Sequence, residues 1–164
     1  MVVRLVFYFL VRIGLQFKAT MENIYSLSPV GEDFRWYLKI RCANCGEQPD
    51  KWIYATLAES SPLKGGRGSA SLVAKCKMCG RENSLDIMAD SIAAYDINGA
   101  FKTIVVFDCR GLEPVDFSPR VGFQAIGEAT FDDVSLTDLE WTDYDEKVNQ
   151  PVSILDVEHK FIKL

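Results

Sequence analysis

Four cysteines form two pairs of equal spacing, Cys42-Ala-Asn-Cys45 and Cys76-Lys-Met-Cys79, and each pair is followed by glycine, Gly46 and Gly80. Thirty residues separate Cys45 from Cys76. Two intervening residues let both sulfurs of a tight turn converge on one point. Two such turns face to face make a tetrahedral pocket of four thiolates, the donor set of one structural Zn²⁺. Glycine after the second Cys tolerates positive φ, so backbone N–H groups can turn back toward the sulfurs and disperse their charge. A thioredoxin-like redox pair would need only one such motif, beside a βαβ pattern. A four-Cys iron–sulfur cluster would be expected to show clustered ferredoxin spacings, which are absent. The set Cys42, Cys45, Cys76 and Cys79 therefore predicts one Zn²⁺ per chain, with redox chemistry or another metal as the competing readings.

Other chemistry-bearing residues are sparser. Cys109 follows the apolar run Val105-Val-Phe107 and reads as a buried strand thiol, because free Cys is usually core. His159, the chain's one histidine, has no serine or cysteine partner recognisable by spacing, which argues against nucleophile–His catalysis. Lys64-Gly-Gly-Arg67 is a glycine-rich turn whose N–H groups, with Lys64 and Arg67, form a candidate contact for an anion or a partner. It lacks the order of a P-loop and serves equally as a turn delivering Cys76 to the metal. Trp141 to Lys147 gathers Asp143, Asp145 and Glu146 beside two aromatics and reads as a solvated acidic turn. A closed four-Cys shell also argues against catalytic zinc, which keeps an open position for water. No catalytic residue is expected, and the chain reads as a non-enzyme.

The elements that must carry these residues are strands. Leu15, Phe17 and Ala19 alternate with polar residues, Phe34 to Cys42 alternates into the first Cys turn, and Ser71 to Cys76 enters the second. Phe101–Phe107, Phe123–Ala129 and Val152–Val157 continue the period of two, and no window of about twelve residues shows a helical stripe. The expected class is all-β and antiparallel, with a hydrophobic fraction of 48% that is ample for a core. Glu22–Tyr37 resembles Arg110–Phe123, and Asn83–Ile92 resembles Val152–Phe161. These matches suggest an internal duplication, although half-buried strands share such patterns in any case. Two sandwich- or barrel-like lobes are expected: 12–97 with the metal, and 98–164, acidic and without it. Residues 1–11 read as an N-terminal extension, with extra strand as one role open to it. Their apolar run is too short for a bilayer span and no small-residue cleavage site follows.

Charge divides along the chain. Arg35 to Arg81 carries a net +6 and Glu82 to Leu164 a net −11, within an overall −5. The basic stretch is read first as neutralising a dianionic zinc–thiolate centre and facing the acidic lobe.

Several long segments, in order, resemble the eukaryotic CXXC motif-containing zinc-binding protein family. They include Leu15–Thr20, Pro29–Lys39, Cys42–Gly46, Leu63–Ser71, Cys76–Cys79, Arg110–Phe117 and Trp141–Lys147. The resemblance runs from Arg12 to Leu164. It implies an all-β fold with one zinc on Cys42, Cys45, Cys76 and Cys79, and no settled activity.

Three functions compete. The first is a zinc-stabilised module that binds another protein, as a monomer without membrane association. The second is metal handling or thiol redox through the two pairs, whose thiolates are flanked by Arg41, Lys75, Lys77 and Arg81. The third is nucleic-acid binding by the basic stretch with Trp36, Tyr37, Trp52 and Tyr54, disfavoured by the acidic second half. Five cysteines with four committed to metal spacing suit a reducing compartment, the cytoplasm with nuclear access.

Overall fold

The computed structural model describes residues 10–63 and 68–164. Lys64 and Arg67, and residues 1–9 of the expected extension, lie outside the described residues. Leu10 and Val11, also assigned to that extension, lie in the first strand and pair with Arg110 and Cys109.

The described residues form fourteen strands. The first eight are β1 (Leu10–Glu22), β2 (Ser26–Pro29), β3 (Trp36–Cys42), β4 (Ile53–Ala55), β5 (Ser61–Pro62), β6 (Ser69–Ala70), β7 (Leu72–Lys75) and β8 (Glu82–Ile87). A 3₁₀ turn at Ala89–Ser91 precedes β9 (Lys102–Arg110), β10 (Leu112–Ser118), β11 (Phe123–Ile126), β12 (Thr130–Val134), β13 (Trp141–Asp145) and β14 (Gln150–Lys163). No helix among the described residues is long and apolar enough to cross a membrane. All the paired strands are antiparallel, as the period-two pattern requires.

A six-stranded sheet runs β13-β14-β1-β9-β8-β7, and two three-stranded sheets run β10-β3-β4 and β12-β11-β2. Exchanging β1 with β9, β2 with β10, β3 with β11, β4 with β12, β7 with β13 and β8 with β14 leaves every one of these pairings in place. The long sheet reads the same from either end, and the two short sheets interchange. This is the topology of a duplicated unit, and the two sequence matches fall on corresponding strands, β2 with β10 and β8 with β14. Among the described strands, only the β5–β6 hairpin has no counterpart.

The halves are interleaved rather than set side by side. The six-stranded sheet takes strands from both sides of residue 97, and β10 of the second half pairs with β3 of the first. One cluster of buried apolar side chains, from Ile13 to Val157, serves both. A boundary at residue 97 therefore does not separate two cores, because each short sheet borrows a strand from the opposite half. Trp36 sits within this cluster, with Phe34 at 4.7 Å and Phe117 at 6.1 Å. Such a ring with its long reach suits the space between twisted sheets, burying apolar area at about 25 cal/mol per Å².

Trp141–Lys147, expected as a solvated acidic turn, is instead strand β13 followed by a turn, with Asp145 only 1% exposed. Two carboxylates among five residues, Asp143 and Asp145, disfavour a strand in isolation. Pairing with β14 through Trp141–Ile154 and Thr142–Ser153 overrides that preference.

Candidate metal centre

The end of β3 and the turn after it position the first Cys pair, and the β7–β8 hairpin the second. Cys42 is the last residue of β3, and Cys76 to Cys79 lie in the turn from β7 to β8. The two knuckles repeat the same hydrogen bonds. The N–H of Cys42 donates to the Glu47 carbonyl at 2.8 Å, and that of Gly46 to the Cys42 carbonyl at 2.9 Å. The N–H of Cys76 donates to the Arg81 carbonyl, and that of Gly80 to the Cys76 carbonyl, both at 2.8 Å. Each knuckle closes through a left-handed residue, Gly46 at φ 81° and Gly80 at φ 75°, where a side chain would be strained.

The four Sγ atoms lie within 4.8 Å of one another. Cys42 and Cys79 stand 3.8 Å apart, and Cys45 and Cys76 3.5 Å. Tetrahedral Zn–S bonds of about 2.3 Å place neighbouring sulfurs about 3.8 Å apart, so the cluster fits one Zn²⁺. The four expected ligands are thus brought together. Lys64 and Arg67 lie outside the described residues, and Cys109 is buried in β9, its thiol pushed up to about 12 by burial and by Asp108.

Backbone and side-chain donors surround the sulfurs. Burial alone would raise the Cys42 thiol, yet it is held down to about 6 by the N–H groups of Cys45 and Asn44 and by the Asn83 amide. The Asn44 side chain and the Arg81 N–H lower Cys79. Cys45 moves the other way, to about 12: the Glu47 N–H lowers it, but hydrogen bonds shared with Cys76, Cys42 and Cys79 together with burial outweigh that donor. Bound Zn²⁺ replaces such shared protons, which is why thiolate sites release protons on loading.

Asn83 is a residue that spacing did not reveal. It is 3% exposed, and its Nδ2 donates to Cys42 Sγ at 3.5 Å while its side chain lies against Gly111. An N–H to a ligand sulfur orients that ligand and lowers its charge. The only sequence signal was a polar residue at an inward position of β8. Arg41, beside Cys42, pairs with Glu113. Lys75 and Lys77 flank Cys76 and are exposed.

The aromatics of the basic stretch are disposed otherwise than stacking on a free strand would need. Trp36 is 1% exposed. Arg120 lies over Tyr37 at 3.8 Å, Arg35 over Tyr54 at 4.5 Å and Lys39 over Trp52 at 4.9 Å, so this chain's own cations already occupy a face of each ring. His159 pairs with Asp116 at 3.2 Å and packs edge-on to Phe117 and Phe161.

A second pair of turns lies at the corresponding place in the other half. Asp145 ends β13 as Cys76 follows β7, and four residues separate Asp145 from Gln150, as four separate Cys76 from Arg81. Asn149 at φ 53° stands where Gly80 does. The Asp145 carboxylate accepts the N–H of Ala129 at 3.1 Å and that of Lys147 at 2.9 Å. It thereby joins the β11–β12 turn to the β13–β14 turn.

The model of the family described as "CXXC motif containing zinc binding protein, eukaryotic" matches residues 14–162. A Xenopus laevis "CXXC motif containing zinc binding protein" is 56% identical over 159 residues, spanning 94% of this chain and 99% of that protein. The Homo sapiens protein of the same description is 57% identical over 157 residues, spanning 93% and 98%. The solved structure titled "Crystal Structure of C1orf123" superposes with a TM-score of 0.89 at 57% identity, covering 93% of this chain and 99% of that one.

Proposed function

Because the chain belongs to the eukaryotic CXXC motif-containing zinc-binding proteins, we propose that its zinc is structural and that it acts, without enzymatic activity, by binding another protein. The observation that carries this reading is the convergence of four sulfurs from two knuckles within 4.8 Å. Four thiolates fill a tetrahedral shell and leave no position at which water is activated. The knuckles sit at the ends of β3 and of the β7–β8 hairpin, strands in different sheets, so one ion ties those sheets together. All five cysteines are free of disulfides, which accords with a reducing compartment.

One observation favours a second reading, metal transfer. Cys45 and Cys79 are exposed while Cys42 and Cys76 are buried. An incoming acceptor thiol could reach the first two and displace them stepwise. Native mass spectrometry with a competing chelator separates the readings. A structural site holds one Zn²⁺ and releases it only with unfolding, followed by circular dichroism. Release within minutes from a chain that stays folded would replace the structural role with metal handling.

A further inference from the structure

The two halves differ in how they close the seam between their edge strands. In the second half the edge strands are β12 and β13, and Phe131 meets Trp141 across them with ring centroids 5.3 Å apart. In the first half the edge strands are β4 and β7. No aromatic pair bridges them among the described residues, and a cavity of about 190 Å³ opens there. Its floor is Ile40, Ile53 and Ala74, and the zinc knuckles close one end. Three exposed lysines, Lys51, Lys75 and Lys77, stand on the rim against a single acid, Glu47. None of the ion pairs among the described residues uses those lysines.

We propose that this seam is the partner-docking site, and that its occupant is an extended acidic peptide segment carrying one bulky apolar side chain. The proposal rests on the reading of the chain as a protein-binding module. The size of the cavity suits one side chain rather than a folded surface, and the equivalent seam shows that aromatic rings fit between such edges. Complementarity of charge selects the flanking residues: carboxylates on either side of the anchor meet the three lysines. The outer edges of β4 and β7 present main-chain N–H and C=O groups that an extended segment can pair with.

The test is an NMR titration of the zinc-loaded full chain with the capped peptide Asp-Glu-Phe-Glu-Asp. The same peptide with alanine for phenylalanine and a short oligothymidylate serve as competing probes. The phenylalanine peptide is expected to shift Ile40, Ile53 and Ala74 resonances saturably, and the alanine peptide to bind at least tenfold more weakly. Charge reversal of Lys51, the rim lysine that flanks no ligand cysteine, to Glu should weaken binding several-fold with zinc content unchanged by native mass spectrometry. Ala74→Leu, which narrows the cavity, should weaken the phenylalanine peptide and leave the alanine peptide unaffected. No shift at these residues up to millimolar peptide, equal binding of both peptides, or shifts produced there only by the oligonucleotide would each overturn the proposal. Saturable shifts elsewhere on the chain would overturn the seam as the site while leaving a protein-binding module standing. Binding at the seam by a chain whose zinc exchanges freely would support the site and contradict the structural role of the metal.

Discussion

At one end of the molecule two turns are joined by four thiolates converging on a metal site; at the other, two corresponding turns are joined by one buried carboxylate. Both devices solve the same problem. Each half has a seam between its edge strands, and the turns at the end of that seam must be held together. The lengths of chain explain why the solutions differ. Ten residues separate β3 from β4 and sixteen separate β4 from β7, against three between β11 and β12 and six between β12 and β13. Ordering each additional residue costs about 1–2 kcal/mol of conformational entropy. A structural Zn²⁺ contributes about 10–16 kcal/mol in small zinc domains. A charged hydrogen bond contributes about 1.5–3 kcal/mol. The half with long excursions has the stronger clasp, and the half with short turns has the weaker one.

Breaking the stronger clasp should have the larger effect. Cys76→Ser is expected to lose the ion and to lower stability by several kcal/mol, as much of the zinc contribution of about 10 kcal/mol disappears. Thermal denaturation with zinc analysis checks it, and a Tm within a few degrees of the parent would break the comparison. Asp145→Ala removes the acceptor for two backbone donors at a buried site. A loss of about 2–5 kcal/mol follows, with zinc fully retained, and urea denaturation of the zinc-loaded protein measures it. Asn83→Ala sharpens the account of the metal end, because it deletes a donor to Cys42 without deleting a ligand. Zinc affinity should fall about 10–100-fold in chelator competition. The smallest effect is at the paired left-handed positions: Gly80→Ala should cost about 1 kcal/mol, whereas Asn149→Gly should change stability by only a few tenths. Equal effects at the two sites would argue against their correspondence.

Much of this was legible in the residues because it rests on local rules. The spacing of Cys42, Cys45, Cys76 and Cys79 needs only turn geometry to imply convergence. Alternation from Phe34 to Cys42 needs only the pleat. The duplication could be glimpsed in two short matches, but its form could not. Whether β10 pairs with β3 or within its own half is a long-range choice that no local pattern encodes, so the interleaving of the halves was not legible. Asp145 was hidden by its neighbours: Asp143 and Glu146 are exposed, and nothing in the run marks one carboxylate as buried. Asn83 was hidden likewise, since its partner is forty-one residues away.

Hydrogen exchange followed by mass spectrometry, on the zinc-loaded chain and after chelation, tests most directly whether the metal is the clasp of the first seam. The account predicts that removing zinc accelerates exchange across β3, β4 and the β7–β8 hairpin more than across the β11–β12 and β13–β14 turns, which Asp145 still joins. Unchanged protection of the Cys42–Gly46 and Cys76–Gly80 knuckles in the metal-free chain would contradict it.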